Sequence, residues 1–233
     1  MQIYFRVCEH EATISYVERY ENYSKKTILR KSWASLKDQL TEVDKVTFIH
    51  DKVSDETLKW LDNNCNALRE FIEVPEHAWE YHQHTVTLVE QLEKNIKNNS
   101  ETHLLIEDDY LFAPNALETM RSLEGLYGAF FLPYDYPDRY RERKLCQVTT
   151  GLTCHWRTVD SCTMTIGASA TIWQQVIPLL KEAAPTSNDK VFEEIFKQFP
   201  CISPVPGVAS HMTASHPTPY FNVAKRFNEL IIT

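Results

Sequence analysis

Glycine is scarce in this sequence. Only Gly125, Gly128, Gly151, Gly167 and Gly207 occur among 233 residues, where average usage of about 7% would supply about sixteen. Neither G-x-G-x-x-G nor G-x-x-x-x-G-K-[ST] can be written with them, so a Gly-rich turn is not the means by which this chain would hold phosphates. Long apolar runs are also missing. No window approaches the roughly 20 uninterrupted apolar residues of a membrane span, and the first ten residues already contain Arg6, Glu9 and His10, which leaves no apolar core for a signal peptide. The expectation is a cytoplasmic protein with no transmembrane segment. Positive charge is in short supply, with 24 basic against 32 acidic side chains and a formal charge of -8, which argues against nucleic acid as the main partner. No C-x-x-C pair occurs among the six cysteines, so reduced thiols are expected rather than staples or a zinc knuckle. Repeats, low-complexity tracts and linkers are absent, and residues 1–233 read as a single domain.

What is present is an alternation of strands and helices. Ile3, Phe5 and Val7 share one face of a strand over Gln2 to Val7, and Ile28, Trp33, Leu36 and Leu40 recur at helical spacing over 27–40. A second strand is expected over Val46 to Ile49, with Asp51 just beyond it. A helix over Ser54 to Asn63 follows, capped by Ser54 or Asp55, and then a third strand from Phe71 to Val74. An amphipathic helix from about His84 to Asn98 precedes a fourth strand, His103 to Ile106. Beyond it, the pattern gives a helix over 114–123 and a strand over 129–132. A polar loop over 133–144 comes next, then an alternating strand over 162–166 and a helix over 168–181 that Pro178 kinks or ends. A last helix over 187–199 leads into an extended, proline-rich tail. Such βαβ units imply an α/β fold with a mainly parallel sheet, whose ligands bind outside the carboxyl ends of the strands. Asp51 and Glu107-Asp108-Asp109 then share one edge.

A strand that ends in three carboxylates inside LLIEDDYLF is costly unless a cation compensates the crowded charge. A divalent ion held by one or two carboxylates and by substrate phosphates is the usual solution, a solvated turn the plainer one. An Asp at a strand end, such as Asp51, can accept hydrogen bonds from a base imide or a ribose hydroxyl, or can simply serve the turn.

Together, Asp51-x-x-Ser54-Asp55-x-Thr57 and the Glu107-Asp108-Asp109 triplet some fifty residues later resemble two motifs of nucleotide-sugar glycosyltransferases with the GT-A fold, the family-two-like group especially. The Asp51 segment is similar to that group's D-D-G-S-x-D-x-T stretch, with His50 in place of its first Asp and Val53 in place of its Gly. The triplet is similar to its D-x-D metal motif in an E-D-D form. The opening Tyr-Asn-Arg of the group is reduced to Phe5-Arg6. The resemblance implies a GT-A-like three-layer αβα sandwich, with residues 1–120 as the nucleotide-sugar-binding half and 121–233 as the acceptor-binding half. It implies a metal-dependent glycosyltransferase of the hexosyltransferase type, moving a sugar from a nucleoside-diphosphate donor, a UDP-sugar by family habit, to a hydroxyl on a glycan or other acceptor. In that scheme Asp109 ligates Mn²⁺ (or Mg²⁺), and His211 completes the metal shell, with His216 as its substitute. Arg6, Asp51, Glu107 and Asp108 serve the nucleotide-sugar. Asp189 deprotonates the acceptor in an inverting reaction, with Glu193 and Glu194 as weaker candidates and helix capping as the competing role for Asp189.

Two further groups stand out. His77, His82 and His84 invite a zinc ion, but no matching distant ligand pair is visible, and a polar loop beside the donor is the expectation. Tyr134, Tyr136, Tyr140 and Trp156 are placed either to stack on an acceptor sugar or to pack within their loop. The alternatives to glycosyl transfer are a nucleotidyltransferase or phosphohydrolase using the same carboxylates, and a binding module without turnover.

Overall fold

A computed structural model describes residues 1–9, 23–75, 83–97, 101–123, 128–141, 146–151, 154–162, 164–186, 190–213 and 217–232. The opening segment forms β1 (Gln2–Cys8), in which Ile3, Tyr4, Phe5 and Val7 are wholly buried. A strand with no wet face needs a layer on each side. Ile3, Phe5 and Val7 enter one core and Tyr4 the other.

Parallel neighbours flank β1: β2 (Lys45–Asp51), itself followed by β3 (Leu68–Glu73), and on the other side β4 (Thr102–Glu107). On one face lie α1 (Lys25–Lys37), α2 (Asp55–Asn63) and α4 (Ala116–Arg121), contributing Trp33, Leu61 and Leu117. On the other lie α3 (Gln83–Ile96), α6 (Ala170–Ala183) and α7 (Val191–Phe196), contributing Leu88, Trp173 and Phe192. Ser24, Ser54 and Ser169 accept the backbone N–H of Thr27, Thr57 and Ile172 and so start α1, α2 and α6, each cap being worth about 1 kcal/mol. Phe5, Trp33 and Phe48 meet edge to face in the first core.

The second half of the chain continues the same sheet with β6 (Phe130–Phe131), β7 (Val148–Thr150), β8 (His155–Val159), β9 (Ile166–Ser169) and β10 (Cys201–Val205). The order of the nine strands is β3-β2-β1-β4-β9-β6-β10-β8-β7. Seven run one way and only β8 and β9 are reversed. This is a three-layer αβα sandwich with a mostly parallel sheet. A separate ribbon pairs β5 (Tyr110–Phe112) antiparallel with β11 (Ala209–His211). Two short helices, α5 (Asp138–Arg141) and α8 (Val223–Glu229), complete the described elements. No described helix is long and apolar enough to cross a membrane, and no disulfide joins any of the six cysteines.

Three departures from the sequence pattern have physical reasons. The strand expected over 162–166 begins at Ile166 and runs to Ser169, because small buried Gly167 and Ala168 carry no apolar alternation. Pro178 does not end α6, which continues to Ala183. A proline inside a helix costs about 3 kcal/mol, which burying Ile172, Trp173, Val176, Ile177 and Leu180 outweighs at roughly 1.5–3 kcal/mol per large side chain. The tail is not merely extended, since it supplies β10 to the interior of the sheet. Pro204 fits there because the pairing with β6 covers only Cys201 and Ile202, so its missing N–H breaks no bond on that side. In addition, β7 and β8 lie where no strand was expected, and of the helix expected over 187–199 the described residues form α7, Val191–Phe196.

Gly167 stands opposite Leu104 and Phe131 in the sheet, and a Cβ there would fall well inside contact distance of the Phe131 ring. Gly167→Ala is therefore expected to lower the unfolding free energy by about 1–3 kcal/mol. Urea denaturation measures it, and Phe131→Leu in the same chain should recover part of the loss.

Candidate functional site

The parallel register decides what meets at the carboxyl edge of the sheet. Cys8 pairs with Asp51 across β1 and β2, and Arg6 pairs with Glu107 across β1 and β4. Asp51 is thus the last residue of β2 rather than a residue beyond it. Asp108 and Asp109 form the turn from β4 into β5.

The two aspartates of the turn point to different partners. Asp108 is buried, with Oδ2 accepting the Cys8 N–H at 2.8 Å and Oδ1 accepting from Lys25 Nζ at 2.5 Å. Lys25 is the first residue of α1. Asp109 Oδ2 lies 3.1 Å from Nε2 of His211, the residue that β11 sets opposite Tyr110. The second oxygen of Asp109, Oδ1, is buried and meets no hydrogen-bond partner among the described residues. His211 Nδ1 lies 3.2 Å from Thr213 Oγ1, and its ring rests on Tyr110, so two contacts orient the imidazole. Glu107 Oε1 is 3.4 Å from Arg6 Nη1, and Asp51 Oδ2 is 3.0 Å from His84 Nε2.

Charge in this cluster is strongly coupled. Burial works to raise Asp109, but the His211 imidazole and the Lys25 ammonium overcome it and hold the carboxyl well below its ordinary range. Burial works to lower His211, and the Asp109 carboxylate overturns that and raises it. Asp108 is raised by burial and by the adjacent Asp109, against the pull of Lys25. Lys25 is raised, since Asp108 and Asp109 together outweigh its own burial. His84 is lowered, by burial first and then by Arg6.

Six of the residues singled out from the sequence, Arg6, Asp51, Glu107, Asp108, Asp109 and His211, therefore stand at one edge. Asp189, His77, His82 and His216 lie outside the described residues. Glu193 and Glu194 are exposed on α7, Glu194 in an ion pair with Lys197. Tyr134 and Trp156 are buried, and the Tyr134 ring packs against Tyr110 and Tyr136, which is loop packing rather than an open sugar platform. Tyr140 remains exposed, under the Arg157 guanidinium.

Three members of the cluster were not assigned a place in it from the sequence. Cys8 was legible, because the strand-end rule that found Asp51 and Glu107 applies equally to the end of β1. His84 stood out only as part of a histidine-rich stretch. Lys25 had no local signal.

No protein-family model matches the chain, and no curated protein does. Among solved structures, HddC from Yersinia pseudotuberculosis is similar at 12% identity over 75% of this chain and 79% of that one, with a TM-score of 0.44. Mouse xyloside xylosyltransferase 1 is similar at 12% identity over 84% and 74%, with a TM-score of 0.45. S. aureus TarS 1-349 is similar at 14% identity over 91% and 57%, with a TM-score of 0.42. None of the three reaches 0.5, and the interpretation of the site rests on its own residues.

The Asp109–His211 pair has a pH signature. The depressed carboxyl contributes stability that is present above its unfolded value of about 4 and is lost as pH falls toward its folded value. The raised imidazole contributes stability that is full below about 6.5 and is lost as pH rises through its folded value. In EDTA, the stability difference between the native chain and His211→Ala should therefore be largest between about pH 4 and 6.5 and shrink on both sides. Denaturant melts across pH check it, and a flat difference would remove the pair from the stability balance.

Proposed function

We propose that the chain is a metal-dependent, inverting glycosyltransferase of the hexosyltransferase type, which moves a sugar from a nucleoside-diphosphate donor, a UDP-sugar, to a hydroxyl on a glycan or other acceptor. The observation that carries this reading is Asp109: one carboxylate oxygen on the His211 imidazole, the other buried and without a partner among the described residues. With Asp51, Glu107 and Asp108 at the same edge, four carboxylates face two permanent cations, Arg6 and Lys25. A divalent ion offsets that surplus, and a carboxylate beside an imidazole suits Mn²⁺ better than Mg²⁺. When bound, such an ion supplies Lewis-acid stabilisation to a departing diphosphate.

The protein's own residues do the rest. Asp109 and His211 hold the ion, and both must give up any shared proton to do so, which ties metal affinity to pH. Asp108 supports the site by fixing Lys25, a cation near the phosphates, rather than by touching the sugar itself. Arg6, steadied by Glu107, adds a second positive charge over the same edge. Asp51 accepts a hydrogen bond from the base or ribose. Asp189 takes the proton from the acceptor hydroxyl as it attacks the anomeric carbon. A cytoplasmic setting is part of the same reading.

Sugar-nucleotide turnover with Mn²⁺ tests the metal. Asp109→Ala should lower the rate by about three powers of ten or more, since the ion contributes several kcal/mol to the transition state. EDTA should abolish turnover and Mn²⁺ restore it, whereas activity that survives both treatments refutes the mechanism. Release of pyrophosphate instead of a nucleoside diphosphate would identify a nucleotidyltransferase.

Asp189→Asn should abolish transfer while nucleotide binding by calorimetry stays within about threefold, a change of well under 1 kcal/mol. NMR of the native product should show inversion at the anomeric carbon. Retention would leave Asp189 as a helix cap.

A further inference from the structure

The histidine-rich stretch lacks a distant ligand pair in the sequence, and the fold supplies one to His84. Cys8 ends β1, Asp51 ends β2, and His84 sits in the first turn of α3. Each offers one ligand atom, and the three atoms lie within 4.8 Å of one another. Strand register explains half of this convergence, because Cys8 and Asp51 are paired residues on adjacent parallel strands. The α3 helix brings the third group over them, with His84 Nε2 3.0 Å from Asp51 Oδ2.

The donor set differs from that of Asp109 and His211. A sulfur, an imidazole nitrogen and a carboxylate oxygen suit a thiophilic divalent ion, Zn²⁺ above all, with three protein ligands and one open position. His84 Nδ1 is buried and meets no hydrogen-bond partner among the described residues, so its imidazole has capacity that the protein around it leaves unused. The side chains of His84 and Asp51 are 17% and 25% exposed, which leaves a route for an ion.

We propose that Cys8, Asp51 and His84 form a three-ligand site for a thiophilic divalent cation, Zn²⁺ in the first place, separate from the Asp109–His211 pair. The site stands whether or not the chain transfers sugars. Asp51 keeps a second carboxylate oxygen for a nucleotide, so the two roles do not exclude each other.

Cobalt reports on it directly. Co²⁺ added to the metal-free full chain should give a thiolate-to-cobalt charge-transfer absorption in the near ultraviolet, saturating at one ion per chain and displaced by Zn²⁺. Cys8→Ser should abolish the band, and His84→Ala should weaken Co²⁺ binding by at least about tenfold, the scale on which even groups behind the ligands act. Asp109→Ala and Cys146→Ser should leave the band intact. Loss of sugar turnover in Asp109→Ala beside an unchanged band thus separates the two metal proposals. A folded chain without the band, or a band that survives Cys8→Ser, overturns the site. Should Cys8→Ser fail to fold by circular dichroism, the native chain still decides: Zn²⁺ must protect Cys8 from iodoacetamide, read by peptide mass, and unprotected alkylation refutes the proposal.

Discussion

The register of β1 between β2 and β4 is the constraint from which the candidate site follows. β1 is buried on both faces, so its side chains are committed to two different cores and cannot exchange them. A slip of one residue would send Phe5 toward the layer that now holds Tyr4 and would expel both from their packing. With the register fixed by apolar packing, Cys8 must face Asp51 and Arg6 must face Glu107. The polar edge is thus positioned by residues that take no part in its chemistry.

Electrostatics then sorts the crowded carboxylates by their partners. Asp108 is satisfied by a backbone N–H and an ammonium, Glu107 by a guanidinium, and Asp51 by an imidazole. Asp109 has only His211 among the described residues and keeps one oxygen in reserve. In a protected environment an unmatched carboxylate oxygen is expensive, on the order of 1–3 kcal/mol. The two neighbours in the chain thus differ: Asp108 has both carboxylate oxygens paired, Asp109 one.

The first half of the fold was legible in the sequence because its strands are short apolar runs with clear stops and its helices carry serine caps. Asp51, Glu107, Asp108 and Asp109 were found by the same logic, as the polar residues that follow or end such runs, and Arg6 through resemblance. His211 was reached only through resemblance, since nothing local marks the ribbon that carries it to Asp109. The second half was less legible for two reasons. Gly167 and Ala168 make a central strand out of small residues, and Pro204 lies in a strand where prolines argue for loop. Lys25 was invisible for a different reason: its partner Asp108 is 83 positions away, and no pattern in either segment announces the other.

The insertion of β10 between β6 and β8 also constrains how the chain assembles during synthesis. Residues 130–131 and 155–159 emerge well before 201–205, yet β6 lacks its outer neighbour and β8 its inner one until the later segment arrives. The half-sheet beyond β9 must therefore wait, with unpaired edges, for a proline-bearing strand made last. Its closure depends on contacts distant in sequence, a topology that folds slowly and exposes sticky strands meanwhile. A nascent chain halted before residue 201 would hold β1 to β4 already paired, while the other flank of the sheet stood open to any chaperone or stray strand nearby.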